Sequence, residues 1–341
     1  MPKQKWDRVT IDAQSVDAPL SVAAIFLTVT INDNQAALSQ ACAALGGLND
    51  LIKTVGFRDL QGRLSCIVGI GRDAWDRLSP SRRPIELRPF ARIEGSVHVA
   101  PATPGDLLFH IRSERVDLCF ELARLILTTL GACVTVVDEV SGFRYFDSRD
   151  LLGFVDGTAN PTGVDLPACA LVGEEDPDFA GGSYVVVQKY LHDLNAWAAV
   201  PAHVQEAIIG RTKIDNVEID DDDAPRKSHK SLATIIDAEG NEHDILRDNM
   251  PFGQPGRNEF GTYFVGYSRY LWVIETMLRR MYVGEPSGAY DRLLDFSKPL
   301  TGATFFAPAR PTLETLANEA QARLTDAAAS DKRRPVPADT R

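Results

Sequence analysis

Strand-like apolar runs alternate with helix-like segments along most of this chain, and that order limits the folds it can adopt. The run VAAIFLTVTI, starting at Val22, is β-branched and predicts a strand, whereas the leucines and alanines that follow it recur at helical spacing. Two more pairs of strand and helix come next, RLSCIVGIG with RDAWDRL and GDLLFHIRS with VDLCFELARLILTTLG, before the strand segment CVTVVDEVSGFRYF. This order predicts a duplicated β-α-β unit with an antiparallel sheet.

A second set of similar segments begins after the turn-rich GTANPTG. It comprises the strand GSYVVVQKYL, the helix PAHVQEAIIGR, the hairpin LATIIDAEGNEHDILRDN, the strand GTYFVGYS and the helix RYLWVIETMLRRMYVG. We therefore predict an α+β fold of two similar halves, divided near residue 150. Beyond Pro308, LETLANEAQARL predicts an amphipathic helix, and the charged, proline-rich TDAAASDKRRPVPADTR predicts a disordered end.

The charge balance disfavours nucleic acid as a partner. The 341 residues include 36 Lys and Arg against 47 Asp and Glu, a formal net charge of -11, and the basic residues are scattered outside the tail. Five widely spaced cysteines form no C-x-x-C pair, so we expect reduced thiols. The N-terminal stretch has no apolar signal-peptide core and no run approaches a membrane span, which predicts a cytoplasmic protein without membrane association.

Two motifs suggest chemistry that their context does not support. GIGRDA matches the dinucleotide-binding pattern G-x-G-x-x-A at Gly69, Gly71 and Ala74, but the following helix is too short for a parallel crossover. A tight turn from strand to helix is the favoured interpretation. VDGT is similar to the phosphatase loop D-x-D-G-T, yet Phe154 occupies the position of the nucleophilic aspartate and cannot be phosphorylated.

A third segment, GFVDGTANP, places Asp156 between glycines, where the simplest role of an aspartate is to form a turn. In EHDILRDNMPFG, Arg247 and Asn249 are two residues apart at the predicted end of a strand and should project from one face. A guanidinium, an amide and a carboxylate would then meet in one pocket. His229, in RKSHKSLATII, precedes the other arm of the same hairpin. Considered singly, a surface arginine and a solvated histidine remain the alternatives.

Five segments in order resemble the dye-decolourising peroxidases, and in particular their cytoplasmic B-type branch. They are GFVDGTANP, IIGRTK, SHKSLATIIDAEGNEHDILRDNMPFG, GTYFVGYSR and YDRLLDFSKPLTGATFFAP. The similarity extends from about Val22 to Pro308. It implies two ferredoxin-like domains with antiparallel sheets, and haem b (iron protoporphyrin IX) held between the sheet and the helices of the second. The domains would span 1–150 and 151–310, followed by a helical and then disordered tail over 311–341.

The resemblance also implies roles for individual residues. His229 matches the axial ligand of the haem iron. Asp291, with Asp295 as the alternative, matches the carboxylate that accepts a hydrogen bond from the second ring nitrogen of that histidine. Asp156 and Arg247 match the pair on the other, distal face of the haem, where a proton of the peroxide must move and the O–O bond must break.

The resemblance also implies supporting roles for Asn249 and Arg211. Asn249 is expected to position a water or the peroxide, and Arg211, in GRTK, to pair with a haem propionate. The implied reaction reduces hydrogen peroxide and oxidises phenols, dyes or other small aromatic reductants in one-electron steps. A haem carrier or store without turnover, which would need His229 but little from the distal pair, stays open as the alternative. We expect a homo-oligomer, and an encapsulating shell protein as a partner has no support in the tail, which lacks a Gly-Leu repeat.

Overall fold

The computed structural model describes residues 13–331 of the chain. In chain order its strands are β1 (Ala23–Ile31), β2 (Ser65–Ile70), β3 (Ile93–Glu94), β4 (Val99–Ala100), β5 (Leu107–Ser113), β6 (Val134–Phe143), β7 (Ser183–His192), β8 (Ile235–Ile236), β9 (Glu242–His243), β10 (Leu246–Arg247), β11 (Met250–Gln254), β12 (Glu259–Ser268), β13 (Ser297–Pro299) and β14 (Ala303–Ala307). Its α-helices are α1 (Gln35–Gly56), α2 (Arg72–Leu78), α3 (Val116–Leu130), α4 (Asp165–Ala170), α5 (Leu194–Ala198), α6 (Ala202–Ile209), α7 (His229–Ala233), α8 (Leu271–Val283) and α9 (Arg310–Asp331). None of the helices in this part of the chain is long and apolar enough to cross a membrane.

One ten-stranded sheet runs through both halves of the chain, and its strand pairs are antiparallel. The first half contributes the order β2-β5-β1-β6 and the second half the order β10-β12-β7-β14. In each half the first strand lies between the third and the fourth, and the second lies beside the third. This is the ferredoxin-like arrangement, so the predicted α+β fold of two ferredoxin-like halves is confirmed.

The two halves join where β14 lies beside β2, with Phe306 opposite Ile70. Because β2 is flanked by antiparallel strands on both sides, the motif GIGRDA does not lie in a parallel β-α-β unit. The glycine at position 71 is explained by packing instead, since a Cβ there would clash with the carbonyl oxygen of Gly105. The structure thus agrees with a tight turn at this motif.

Both faces of the sheet are buried, because the two halves of the sheet face each other and carry helices on their outer sides. On β1, Ile25 and Leu27 belong to the apolar cluster that includes α1 and α3. Phe26, which points to the other face, clusters with residues of the second half such as Tyr263 and Phe305. The period of two along the strand therefore divides its side chains between an outer and an inner apolar layer.

The predicted hairpin around residue 240 is smaller than expected. β8 and β9 pair through only two residues each, and the residues before β8 form the short helix α7. Ser228 caps this helix by accepting a hydrogen bond from the backbone N–H of Ser231 at 3.3 Å, and such a cap favours a helix start over an extended strand. Arg247 ends β10, so the prediction that Asn249 shares its strand is wrong.

Helix α9 extends beyond the predicted segment at both ends. The prediction of disorder is wrong for residues 325–331, which are helical, and residues 332–341 lie outside the described part of the chain. Packing onto the first half explains the helix: it contacts α1 and buries the apolar side chains Leu313, Leu316, Ala317 and Ala320. A hydrogen bond of 2.9 Å from Gln321 Nε2 to Ser39 Oγ adds to this contact.

The seam between the halves can be tested at Phe305, which is 0 % exposed. A Cβ at Gly69 or Gly105 would come within 2.8 or 2.7 Å of its atoms, so the ring is tightly enclosed. We expect Phe305→Ala to lower the free energy of unfolding by about 3–5 kcal/mol, because the cavity it leaves between two sheet layers cannot collapse. Phe120→Ala, at an exposed position on α3, should change it by less than about 0.5 kcal/mol. Urea titrations compare the two, and equal losses would contradict this packing.

Candidate active site

A cavity in the second half lies between the sheet and α8, and it encloses about 1040 Å³, its open mouth included. Its apolar wall is formed in large part by side chains of α8: Ile274, Met277, Leu278 and Met281. Its polar lining includes the predicted residues Asp156, His229, Arg247 and Asn249. Segments that are far apart in sequence thus bring four predicted residues together.

His229 is the first residue of α7 and presents its ring to the cavity. Its Nδ1 lies 2.7 Å from Oδ2 of Asp291, a fully buried carboxylate. The other oxygen of Asp291 accepts a hydrogen bond of 2.9 Å from the backbone N–H of Leu293 and so caps the 3₁₀ turn at Arg292–Asp295. With Nδ1 occupied, Nε2 is the ring nitrogen left for a ligand in the cavity.

Asp291 and Asp295 were the two candidate partners for this histidine. Asp295 instead accepts a hydrogen bond of 3.1 Å from the hydroxyl of Tyr290 and lies 2.9 Å from Nε2 of His98. Burial by itself lowers the pKa of His229, but the charge of Asp291 and the hydrogen bond to it outweigh burial and hold that pKa above its ordinary value. The ring is therefore oriented and made more basic by one buried carboxylate.

Asp156 lies on a tight loop that requires its glycines. Gly153 has φ +93°, and a Cβ there would lie 2.6 Å from Cε of Lys213, while Gly157 has φ +76°. The backbone N–H of Gly157 donates to Oδ1 of Asp156 at 2.7 Å. This bond and the turn direct the half-buried carboxylate toward the cavity.

The same loop rests on a small apolar core of its own, formed by Leu152, Phe154, Trp197 and Ile208. The indole N–H of Trp197 donates to the carbonyl of Leu152 at 2.9 Å, and the guanidinium of Arg149 donates to the carbonyl of Gly153 at 2.8 Å. Phe154, which excluded a phosphatase mechanism in the sequence, thus anchors the loop that carries Asp156.

Arg247 is held in place by Asn160, the asparagine of GTANP. Nδ2 of Asn160 donates to the carbonyl of Arg247 at 2.7 Å, and Oδ1 accepts from its backbone N–H at 3.0 Å. The side-chain amide therefore pairs with this residue as a neighbouring strand would. Sequence reasoning did not identify Asn160, and its only signal was an amide side chain in a turn-rich segment.

The guanidinium of Arg247 forms no hydrogen bond or ion pair with any other residue in the described range 13–331. Burial lowers its pKa, and the charge of Asp156 counteracts part of that effect. Burial likewise raises the pKa of Asp156, against the opposing charge of Arg247. The pair provides a carboxylate that can take up a proton beside a cation that can stabilise developing negative charge.

Asn249 connects this pair to the sheet. Its Oδ1 accepts a hydrogen bond of 3.2 Å from the backbone N–H of Val265, and its Nδ2 lies 3.4 Å from Oδ1 of Asp156. Arg247 and Asn249 both line the cavity although they do not share a strand.

Arg211 is placed differently. Its guanidinium donates to the carbonyl of Asn216 at 2.7 Å and lies 3.3 Å from Glu218, and it is not among the residues that line the cavity. Its contact with a propionate stays a prediction.

Asp150 is a second carboxylate of the cavity wall, and sequence reasoning missed it. Its Oδ1 accepts a hydrogen bond of 3.0 Å from the backbone N–H of Phe154. Burial, with a smaller contribution from the charge of Asp156, raises the pKa of Asp150 to about 7. An aspartate three residues before a glycine signals a turn, and nothing in the sequence shows that the turn faces a cavity.

No cluster of three or more His, Cys, Asp or Glu side chains within residues 13–331 could hold a metal ion.

The fold and the cavity define a ferredoxin-like α+β protein with a largely apolar cavity in its second half whose lining includes a histidine, an arginine and two carboxylates. The model of the Dyp-type peroxidase N-terminal region matches residues 13–144, and that of the C-terminal region matches 147–312. The dye-decolorizing peroxidase of Mycolicibacterium paratuberculosis is 54% identical over 298 residues, which cover 87% of this chain and 84% of the relative. That of Mycobacterium tuberculosis is 53% identical over 299 residues, 87% of this chain and 88% of the relative. The chain belongs to the Dyp-type peroxidase family.

Solved structures show the same relationship. DyPB from Rhodococcus jostii RHA1 superposes with a TM-score of 0.87 at 56% identity, covering 89% of this chain and 98% of that chain. Variants of that protein have been solved in complex with heme. The encapsulated DyP-type peroxidase from Mycobacterium smegmatis superposes with a TM-score of 0.86 at 52% identity, covering 89% of this chain and 97% of that chain.

The raised pKa of Asp150 predicts a pH-dependent stability of the apoprotein. Its folded-state pKa of about 7 exceeds the ordinary value of about 3.9, so this group stabilises the fold below pH 4 and loses that contribution as the pH rises to 7. Asp150→Asn keeps an acceptor for Phe154 without the charge. We expect it to be close to wild type at pH 4.5 and more stable at pH 8, by up to roughly 4 kcal/mol. Urea titrations at both pH values measure this, and an unchanged difference would place the carboxylate in solvent.

Proposed function

We propose that this chain is a haem b peroxidase that reduces hydrogen peroxide and oxidises small aromatic reductants in one-electron steps. The observation that carries the proposal is the shared cavity of the His229–Asp291 pair and a half-buried Arg247 beside Asp156, whose guanidinium has no hydrogen bond or ion pair within residues 13–331. Membership of the Dyp-type peroxidase family and the haem complexes of the Rhodococcus jostii relative support it.

The residues present fit haem b. The cavity has an apolar wall of the kind against which a porphyrin packs, and it offers Nε2 of His229, which has no hydrogen-bond partner among residues 13–331. His229 would hold the iron through Nε2, while Asp291 accepts the Nδ1 proton, fixes the tautomer and increases the basicity of the ligand. When bound, the haem supplies the redox chemistry by which the peroxide bond is broken and electrons are taken from reductants.

Asp156 and Arg247 act on the peroxide. Asp156 takes a proton from one oxygen of the peroxide and returns it to the other, departing oxygen. Its carboxylate must therefore be ionised when peroxide arrives. Arg247 stabilises the negative charge that grows on the departing oxygen, and its partial burial strengthens this interaction. Asn249 positions the peroxide or a water. The pairing of Arg211 with a propionate rests on its sequence position alone.

The alternative of a haem carrier or store is less well supported. A carrier needs His229, but it gains nothing from a half-buried guanidinium in the cavity wall that has no counter-ion contact within the described residues. Such a group costs desolvation free energy, and its retention beside a carboxylate is explained by a transition state that it stabilises.

Several broader properties stay proposals. The division between 1–150 and 151–310 is supported by the gap between the matched family regions 13–144 and 147–312, and the second region ends close to the proposed boundary between 151–310 and 311–341. The encapsulated relative from Mycobacterium smegmatis supports a shell protein as a partner. The cytoplasmic location and the homo-oligomer rest on the sequence resemblance.

The proximal assignment is tested by haem retention. We expect His229→Ala to fold but to lose most of its haem, seen as collapse of the Soret band, whereas the exposed His203→Ala should retain it. Asp291→Asn should keep haem and raise the reduction potential of the iron, because the imidazole becomes a poorer donor. Asp295→Asn, which leaves the contact of His229 intact, is the matched control in a redox titration. A normal spectrum of His229→Ala would refute the ligand assignment.

The distal assignment is tested by the peroxide reaction. We expect Arg247→Leu to keep haem and to slow the peroxide-dependent change in the haem spectrum by at least about a hundredfold, the usual cost of removing a preorganised donor. Asp156→Asn should slow it by an equal or smaller factor. The exposed Arg82→Leu should react as wild type does. Stopped-flow absorbance provides the rates. An unimpaired Arg247→Leu would refute the distal role, and a wild type that barely reacts would favour the carrier.

A further inference from the structure

A buried ion pair links the first half of the chain to the segment that carries Arg247. Arg112 on β5 donates to Oδ2 of Asp248 at 2.7 Å, and the two side chains are 1% and 0% exposed. The same guanidinium donates to the carbonyl of Ser15 at 2.5 Å. No side chain from residues 13–144 lines the cavity, whereas this pair is a direct polar contact between the first half and residues 247–249.

Asp248 lies between two cavity residues and points away from the cavity. Arg247 and Asn249 line it, whereas Asp248 is buried on the other side of the segment. The backbone N–H of Asp248 donates to the carbonyl of Val265 at 3.1 Å, and the N–H of Val265 donates to Asn249 at 3.2 Å. Strand β12 thus holds residues 247–249 from one side, and Arg112 holds them from another.

Arg112 is the cation that balances Asp248. His110 also lies nearby, with Nε2 3.8 Å from Oδ2 of Asp248 and Nδ1 2.7 Å from the hydroxyl of Tyr267. Burial lowers the pKa of His110 to about 3, so its imidazole is neutral at physiological pH. The carboxylate is therefore held by the guanidinium and only weakly by the imidazole.

Stability alone does not account for this cluster. Arg112 Nε, His110 Nε2 and Asp248 Oδ1 are buried without a hydrogen-bond partner among residues 13–331, and unpaired buried polar atoms destabilise a fold. Apolar residues of similar volume often stabilise a protein as well as a buried ion pair does. Apolar side chains pack without a preferred direction. The charged hydrogen bond from Arg112, in contrast, specifies that Asp248 lies on the side of its segment that faces away from the cavity.

We propose that Arg112 and Asp248 are positioning residues for the peroxide reaction. Their ion pair draws Asp248 into the layer between the halves, and the backbone then directs the neighbouring side chains Arg247 and Asn249 into the cavity. This inference rests on the distal role proposed for Arg247. It gives the first half a part in catalysis although it contributes no side chain to the cavity wall.

The test uses the haem-loaded full-length protein and the variant Asp248→Asn. We expect haem to be retained and the peroxide reaction to slow by about tenfold to a hundredfold, the range that a small misplacement of a catalytic group produces. Fluoride, a small anion whose binding to ferric haem depends on distal hydrogen-bond donors, should bind at least about tenfold more weakly by optical titration. Arg112→Lys, which keeps the charge but loses the planar fork, should lie between wild type and Asp248→Asn.

Two comparisons separate positioning from general destabilisation. In the Arg247→Leu background, Asp248→Asn should cause little further loss of rate, because a residue that acts through Arg247 has nothing left to position. The matched control is Asp138→Asn, which breaks another ion pair between the halves, 3.3 Å from Lys189, without touching residues 247–249. It should leave the fluoride affinity and the peroxide rate within about twofold of wild type.

Wild-type fluoride affinity and peroxide rate in Asp248→Asn would overturn the inference, as would rate losses that add fully in the double variant. If Asp248→Asn does not fold, Arg112→Met with Asp248→Leu replaces the pair by apolar groups, and a normal rate in that protein would also overturn it. Arg247→Leu reacting at the wild-type rate would refute the distal role itself, whereas a slow Arg247→Leu beside a fast Asp248→Asn would refute the positioning role alone.

Discussion

The apolar layer between the two halves of the sheet is the contact on which the rest of the molecule depends. Phe26 of the first half and Phe305 of the second are fully buried in it, and glycines at positions 69 and 105 let Phe305 approach the first half closely. If either half stood alone, the face of its sheet that forms this layer would expose a continuous apolar surface to water. Since β12 belongs both to this layer and to the cavity, packing between the halves also sets the position of the site.

Burial organises the electrostatics of the cavity. It raises the pKa of Asp150 and Asp156 and lowers that of Arg247, whereas His229 keeps a raised pKa because Asp291 lies in contact with it. A charged group in such a place has to be held by specific partners. Backbone N–H groups donate hydrogen bonds to the carboxylates of Asp150, Asp156 and Asp291. The backbone of Arg247 is held by the side-chain amide of Asn160, and its guanidinium remains available for a ligand.

Much of the fold could be predicted from the spacing of apolar residues. A helix that buries one stripe, or a strand that buries one face, shows that spacing within its own sequence. β1, α1 and α8 lie close to where their apolar residues place them. The exceptions are segments whose conformation depends on distant partners. α9 is longer than its composition suggests because it packs on α1. α7 includes the first two residues of the predicted hairpin, Leu232 and Ala233, because Ser228 caps a helix there.

The sequence by itself determined the order of the elements, the glycines around Asp156 and the identity of the four residues that meet in the cavity. These features can be recognised from short local motifs, because a motif is a property of neighbouring residues in the sequence and does not depend on the packing around it. Only the tertiary structure decided that Asp291 rather than Asp295 contacts His229, that Asn160 clamps the backbone of Arg247, and that Asp248 faces Arg112. Each of these choices is a contact between residues more than 60 positions apart. Whether such residues meet is set by tertiary packing, within the second half for Asp291 and Asn160 and between the halves for Arg112.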